Sequence, residues 1–206
     1  MRPFTKRELL GVGLIFLIVF LVTFQGLVVA KRRARDAQRK ADLGAISDAL
    51  YTFYEEFGFF PPAEVGKIKA CKGVAYEEVL TELKAKKDFD RELFFTGLRP
   101  CDWGADPLRD ITSSDRAPYL ATIPVDPKGG EGYTYLYISN TYRFQLYTFL
   151  EGETEEDGYD SRIVSRDLSC GRAICSFGKS YGQTPLDVSI EDYEQKLLDE
   201  SRGGKP

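Results

Sequence analysis

The sequence predicts an α+β fold. One long N-terminal helix, half in a membrane and half in water, packs on a small antiparallel β-sheet, with a loop-rich insertion between them. Three observations predict it. Leu9 to Ala30 is a run of twenty-two residues without an ionisable side chain. Leu43, Ile46, Leu50, Phe53 and Phe57 then recur at alternating steps of three and four, which is one face of a helix. Further on, GYTYLYIS and TYRFQLYTFLE carry Tyr, Phe, Leu and Thr in near alternation, the period of a half-buried strand.

At 206 residues the chain has room for one membrane segment and one modest head. Its net charge of −4 is unevenly spread. Residues 1–40 hold nine Lys/Arg against Glu8 and Asp36, a sum of +7 that leaves −11 for the remainder. An acidic body repels phosphate backbones, which argues against nucleic acid as a partner. The chain has no histidine, hence no histidine-based acid, base or metal ligand. With neither a glycine-rich phosphate loop nor a nucleophile elbow, no catalytic constellation stands out and the sequence reads as a non-enzyme.

Residues 1–8 form a short segment ahead of the membrane helix, 9–30. At about 1.5 Å per residue that helix spans a hydrocarbon core of about 30 Å. A cleavable signal sequence normally has an apolar region of about 7–15 residues followed by small residues; here Lys31, Arg32 and Arg33 follow directly. Basic residues flank both ends, so the charge rule leaves the orientation open. Cys71, Cys101, Cys170 and Cys175 form an even set, which suits two disulfides and an oxidising, extracytoplasmic compartment. Buried thiols or a four-thiolate zinc site are the alternatives, and the C-x4-C spacing at Cys170 is loose for zinc.

The soluble half of the helix covers 31–58. Ala30, Ala34, Ala37 and Ala41 extend the helical spacing backwards with small residues, which admit a close neighbouring helix. Gln25 and Gly26 soften the membrane half, and Gly58, Pro61 and Pro62 end the helix. Unbroken from Thr5 to Phe57 it is about 80 Å long, more than a bilayer requires. Within 59–121, AYEEVLTELKAKK reads as a short helix with Val79, Leu80 and Leu83 on one face, amid loops. Trp103 beside Cys101 reads as a packing anchor for a disulfide.

Residues 122–182 hold the sheet. SNT makes the hairpin turn, and one face covers Leu50, Phe53 and Phe57. Tyr133, Tyr135 and Tyr137 read as sheet surface rather than a sugar-stacking row. EGETEEDGYDSR is a carboxylate-dense turn without EF-hand spacing, and a further strand is expected around Arg162 to Arg166. In 183–206, SIEDYEQKLLDES forms a helix with Ser189 as N-cap and Ile190, Tyr193 and Leu197 on a shared face, before a disordered SRGGKP end.

Three stretches, FTKRELL, ARDAQRKADLGAISDALYTFYEEFGFFPP and YLATIPVDPKGGEGYTYLYIS, resemble the type IV pilins and type II secretion pseudopilins, particularly the major pseudopilin type. The resemblance covers most of residues 4–150. It implies a structural filament subunit, whose inner helix halves bundle into a filament core and whose outer halves pack against the sheet. It implies a prepilin peptidase cutting before Phe4, with Glu8 neutralising the freed amine of a neighbouring subunit. Pro3 stands where the family has glycine. Two other readings stand beside assembly: a Glu8 carboxylate lying among headgroups beside Lys6 and Arg7, and a non-polymerising, membrane-tethered binding or adhesion protein with a pilin-like head.

The resemblance further implies a disulfide loop closed by Cys170 and Cys175. It makes Asp157 and Asp160 calcium candidates, with no other cofactor expected. The implied partners are copies of the chain or related pilins, the membrane, a prepilin peptidase, an assembly ATPase and a platform membrane protein. The implied location is a prokaryotic cytoplasmic membrane, crossed once with the N-terminus inside and the head outside, and the cell surface once assembled.

Overall fold

The computed structural model describes residues 5–113 and 115–203. Phe4 and Pro3, with the expected cleavage point, lie outside them. Helix α1 (Lys6–Phe57) runs 52 residues without a break, about 78 Å at 1.5 Å per residue. Gly58, at φ 75°, ends it in the left-handed region that favours glycine, and its N–H donates to the Tyr54 carbonyl. One helix near the N-terminus is thus long and apolar enough to cross a membrane. From Leu10 to Val29 its described side chains are exposed. Further along, Leu43, Ile46, Ala49, Leu50 and Phe53 are buried in the head.

Among the described residues, the head is built from two three-stranded antiparallel sheets. The first comprises β1 (Ala63–Glu64), β2 (Lys67–Lys72) and β3 (Leu98–Pro100), in that order. Residues 59–121 are therefore more than loops and a short helix. They carry this sheet, α2 (Tyr76–Ala85) and α3 (Arg91–Thr96). Strand β2 alternates, with Ile68 and Ala70 inward and Lys67 and Lys69 outward, but its partners are only two and three residues long. The second sheet comprises β4 (Leu136–Ser139), β5 (Phe144–Thr148) and β6 (Phe177–Ser180), with β5 central and all five of its residues buried.

Three expectations are corrected here. The strand expected at Arg162 to Arg166 is instead a short helix, α4 (Ser161–Val164), because Asp160 caps it by accepting from the Arg162 N–H at 2.9 Å. The third strand comes later, at β6. Tyr135 and Tyr137 are core rather than surface, 1 % and 0 % exposed. Burial is tolerated because each hydroxyl has an acceptor: Tyr135 donates to Asp42 at 2.6 Å and Tyr137 to the Pro61 carbonyl at 2.8 Å. Helix α5 (Ile190–Gly203) forms, with the Ser189 hydroxyl accepting from the Asp192 N–H at 3.0 Å, and it continues through Ser201–Gly203, which were expected to belong to the disordered end. Trp103 packs edge-on to Tyr135 at 5.9 Å.

The two-residue turn joining β1 to β2 sets Val65 at φ 52° and Gly66 at φ 72°. Positive φ at both positions defines a type I′ turn, where a β-branched residue is strained and asparagine is favoured. Val65 is also 91 % exposed. Val65→Asn is expected to stabilise the head by about 1 kcal/mol, read as a higher urea midpoint; an unchanged or lower midpoint refutes the turn assignment.

Candidate functional site

The root of the stem, where α1 passes from the uncovered apolar half into the head, concentrates the polar chemistry. Arg35, Asp36, Arg39 and Lys40 stand three and four residues apart, hence on one face of α1, in phase with Leu43. Arg39 is completely buried. Its guanidinium grips Asp126 in a fork, Nε to Oδ2 at 2.8 Å and Nη2 to Oδ1 at 3.1 Å, and its Nη1 donates to Asp36 at 2.9 Å and to Glu151 at 3.0 Å. Its ring contacts are Phe149 at 5.8 Å and Tyr133 at 6.0 Å. Arg35 takes both oxygens of Glu151 at 2.6 Å. Asp36 accepts from the N–H groups of Glu151 and Gly152, each at 2.9 Å. Helix, β5 end and the Asp126 turn are thereby tied into one unit.

A buried ion cluster is weak evidence for net stability, because desolvation consumes most of the Coulombic gain. Its contribution is directional: forked, charge-assisted hydrogen bonds admit one orientation of helix against sheet. Burial opposes the charge on Arg39, but Asp126, then Glu151 and Asp36, outweigh it and hold its pKa above the ordinary value. The Glu151 carboxyl is pulled down to about 2 from an ordinary 4.5, chiefly by the hydrogen bonds from Arg35, then Arg39, against the opposing effect of burial.

A folded value below the unfolded one contributes stability that is present above pH 4.5 and lost as the pH falls toward 2. At 1.36 kcal/mol per pKa unit the loss is about 3 kcal/mol. Urea titrations across that range are expected to show it, and Glu151→Gln to flatten it; an equally steep acid limb in the variant refutes the assignment.

The other expected site residues fall into place as follows. Glu8 caps its own helix. Its Oε2 accepts from the Thr5 N–H at 2.8 Å and hydroxyl at 2.9 Å, while the Thr5 hydroxyl accepts from the Glu8 N–H at 3.4 Å. This capping box was legible in T-K-R-E, a Thr followed three residues later by Glu. The cysteines pair as Cys71–Cys101 and Cys170–Cys175, bridging 30 and 5 residues of sequence. Asp157 accepts from the Thr154 hydroxyl at 2.9 Å and meets Arg32 at 3.5 Å. Asp160 forks onto Arg162 at 2.8 and 3.1 Å. Both calcium candidates thus already face cations. Cys71, Cys101 and Asp106 cluster at metal-binding distance, but both thiols are spent in their disulfide.

The Arg39 cluster escaped sequence reading. The available signal was its phase: a charge four residues before Leu43 lies on the buried stripe and requires a partner there. No protein-family model, no curated protein and no solved structure matches this chain.

Proposed function

We propose that the chain is a membrane-anchored filament subunit of the type IV pilin or type II secretion pseudopilin kind. The single observation that carries this reading is α1 itself, one unbroken helix whose first half is apolar and uncovered and whose second half is built into the head. A tether needs about 20 apolar residues and any flexible linker. Here the head is instead locked to the stem through Arg35, Asp36 and Arg39, as a subunit requires when stem packing sets the position of every head. Ala30, Ala34, Ala37 and Ala41 are exposed on the side of α1 away from the head, open to a second helix at close range. Moving from bilayer to helical bundle keeps the apolar stem covered in both states.

In this reading the head is extracytoplasmic, as the disulfides suit, and a prepilin peptidase, assembly ATPase and platform protein act on the chain. Glu8 serves twice, capping its helix and meeting a neighbour's freed amine. The monomeric tether reading is favoured by one observation: Thr5 already occupies one oxygen of the Glu8 carboxylate. Single cysteines at Leu17 and Phe24, oxidised in envelopes with the export machinery running, decide between them. Stem-to-stem adducts and a mature start at Phe4 are expected; absence of adducts with an intact Met1 overturns the filament reading.

A further inference from the structure

Six basic residues lie between positions 31 and 40, directly after the apolar run. The head engages four of them: Arg35 and Arg39 bind carboxylates, Lys40 donates to the Asp157 carbonyl, and Arg32 reaches the Asp157 carboxylate at 3.5 Å. Lys31 and Arg33 are exposed and have no partner among the described residues. At about 100° per residue they stand to either side of the head-facing stripe. The Arg32 Nε–H is buried without an acceptor. Below Arg33, the residues Gln25, Gly26, Val29 and Ala30 line a shallow groove with it, and nothing fills the space where a Cβ on Gly26 would project.

We propose that Arg33 binds the phosphate of an anionic phospholipid whose acyl chain lies in the Gly26–Ala30 groove beneath it, with Lys31 and Arg32 adding positive charge to the same collar. Two observations name the occupant. The collar is continuous with the uncovered apolar stem, so it stands at headgroup level whenever the stem is in a bilayer. Its two unpartnered cations complement a phosphodiester, as basic residues beside a membrane helix do. The acidic stretch Glu151–Asp157 borders the collar on the head side, so lipid gains only at the flanks, where Lys31 and Arg33 stand. A phosphate at the collar also gives the orphan Arg32 N–H an acceptor once that side chain leaves Asp157.

The test uses the full chain in nanodiscs of mixed phosphatidylcholine and phosphatidylglycerol, extracted into mild detergent, with retained lipids counted by native mass spectrometry. Phosphatidylglycerol is expected to be retained about fivefold or more over phosphatidylcholine. A Lys31→Gln/Arg33→Gln double variant is expected to lose most of that enrichment, and Lys196→Gln on α5 to keep it. Equal retention of the two lipids, or undiminished enrichment in the double variant, overturns the proposal. Loss of phosphatidylglycerol on adding excess inorganic phosphate overturns it too, by showing a site for free phosphate. The inference rests on membrane anchoring alone and is read on single chains, so failure of stem cross-linking leaves it standing.

Discussion

Arg39→Ala is expected to destabilise the head by about 3–5 kcal/mol, the cost of removing one member of a buried ion cluster. The cost arises from what remains: Asp126 and Asp36, 2 % and 5 % exposed, lose the cation they are buried against. Lys128 lies 3.6 Å from Glu151 and offsets little for the other two. Lysine at position 39 restores a charge but not the fork onto Asp126, so Arg39→Lys is expected to recover only part of the loss. The measurement is urea unfolding of the full chain in micelles, followed through Trp103, the only tryptophan. A domain of this size has about 5–15 kcal/mol in total, so the variant sits near the edge of folding. A cost below about 1 kcal/mol means the cluster behaves as a surface pair, and the rigid stem–head coupling then loses its basis.

How far the sequence disclosed this arrangement depended on whether the signal was local. Leu43, Ile46, Leu50 and Phe53 bury in the order their spacing predicts, because helix period and burial are the same fact seen twice. Ser189 and Gly58 mark helix ends through bonds to residues three or four away, and such signals survive without knowledge of the fold. Tyr135 and Tyr137 misled because their hydroxyls find acceptors 93 and 76 residues distant; a polar tip predicts exposure until a remote partner is known. Arg162 to Arg166 misled differently. Ile163 and Val164 favour a strand, but the Asp160 carboxylate offers the first N–H groups a cap, and one local hydrogen bond outweighs a weak propensity. Asp126, which completes the Arg39 site, lies 87 residues away in sequence. Pairings of that span are set by topology, so the site was readable only as an arginine in need of a partner.

Phe60→Ala is expected to cost about 4 kcal/mol at the opposite end of the head. Phe60 is fully buried, and its ring meets Tyr54 at 4.6 Å, Tyr181 at 4.8 Å, Phe144 at 4.9 Å and Tyr51 at 6.4 Å. Those four belong to α1, to β5 and to the segment after β6, so truncation opens a cavity where three elements converge and removes aromatic pairs of about 0.5–1.5 kcal/mol each. The Phe60 N–H donates to the Thr141 carbonyl at 2.7 Å, which pins the backbone and prevents the site from collapsing around a smaller side chain. Phe89 supplies the comparison: it stacks on Phe59 at 6.2 Å but is 57 % exposed, and Phe89→Ala is expected to cost under about 1 kcal/mol. Equal losses from the two variants refute the hub. About 27 Å of helix separate Arg39 from Phe57, so losses from Phe60→Ala and Arg39→Ala should add within about 0.5 kcal/mol. A larger departure in urea unfolding means that root and tip of the head loosen together, and that stem orientation is held by the whole head rather than by the ionic cluster at its base.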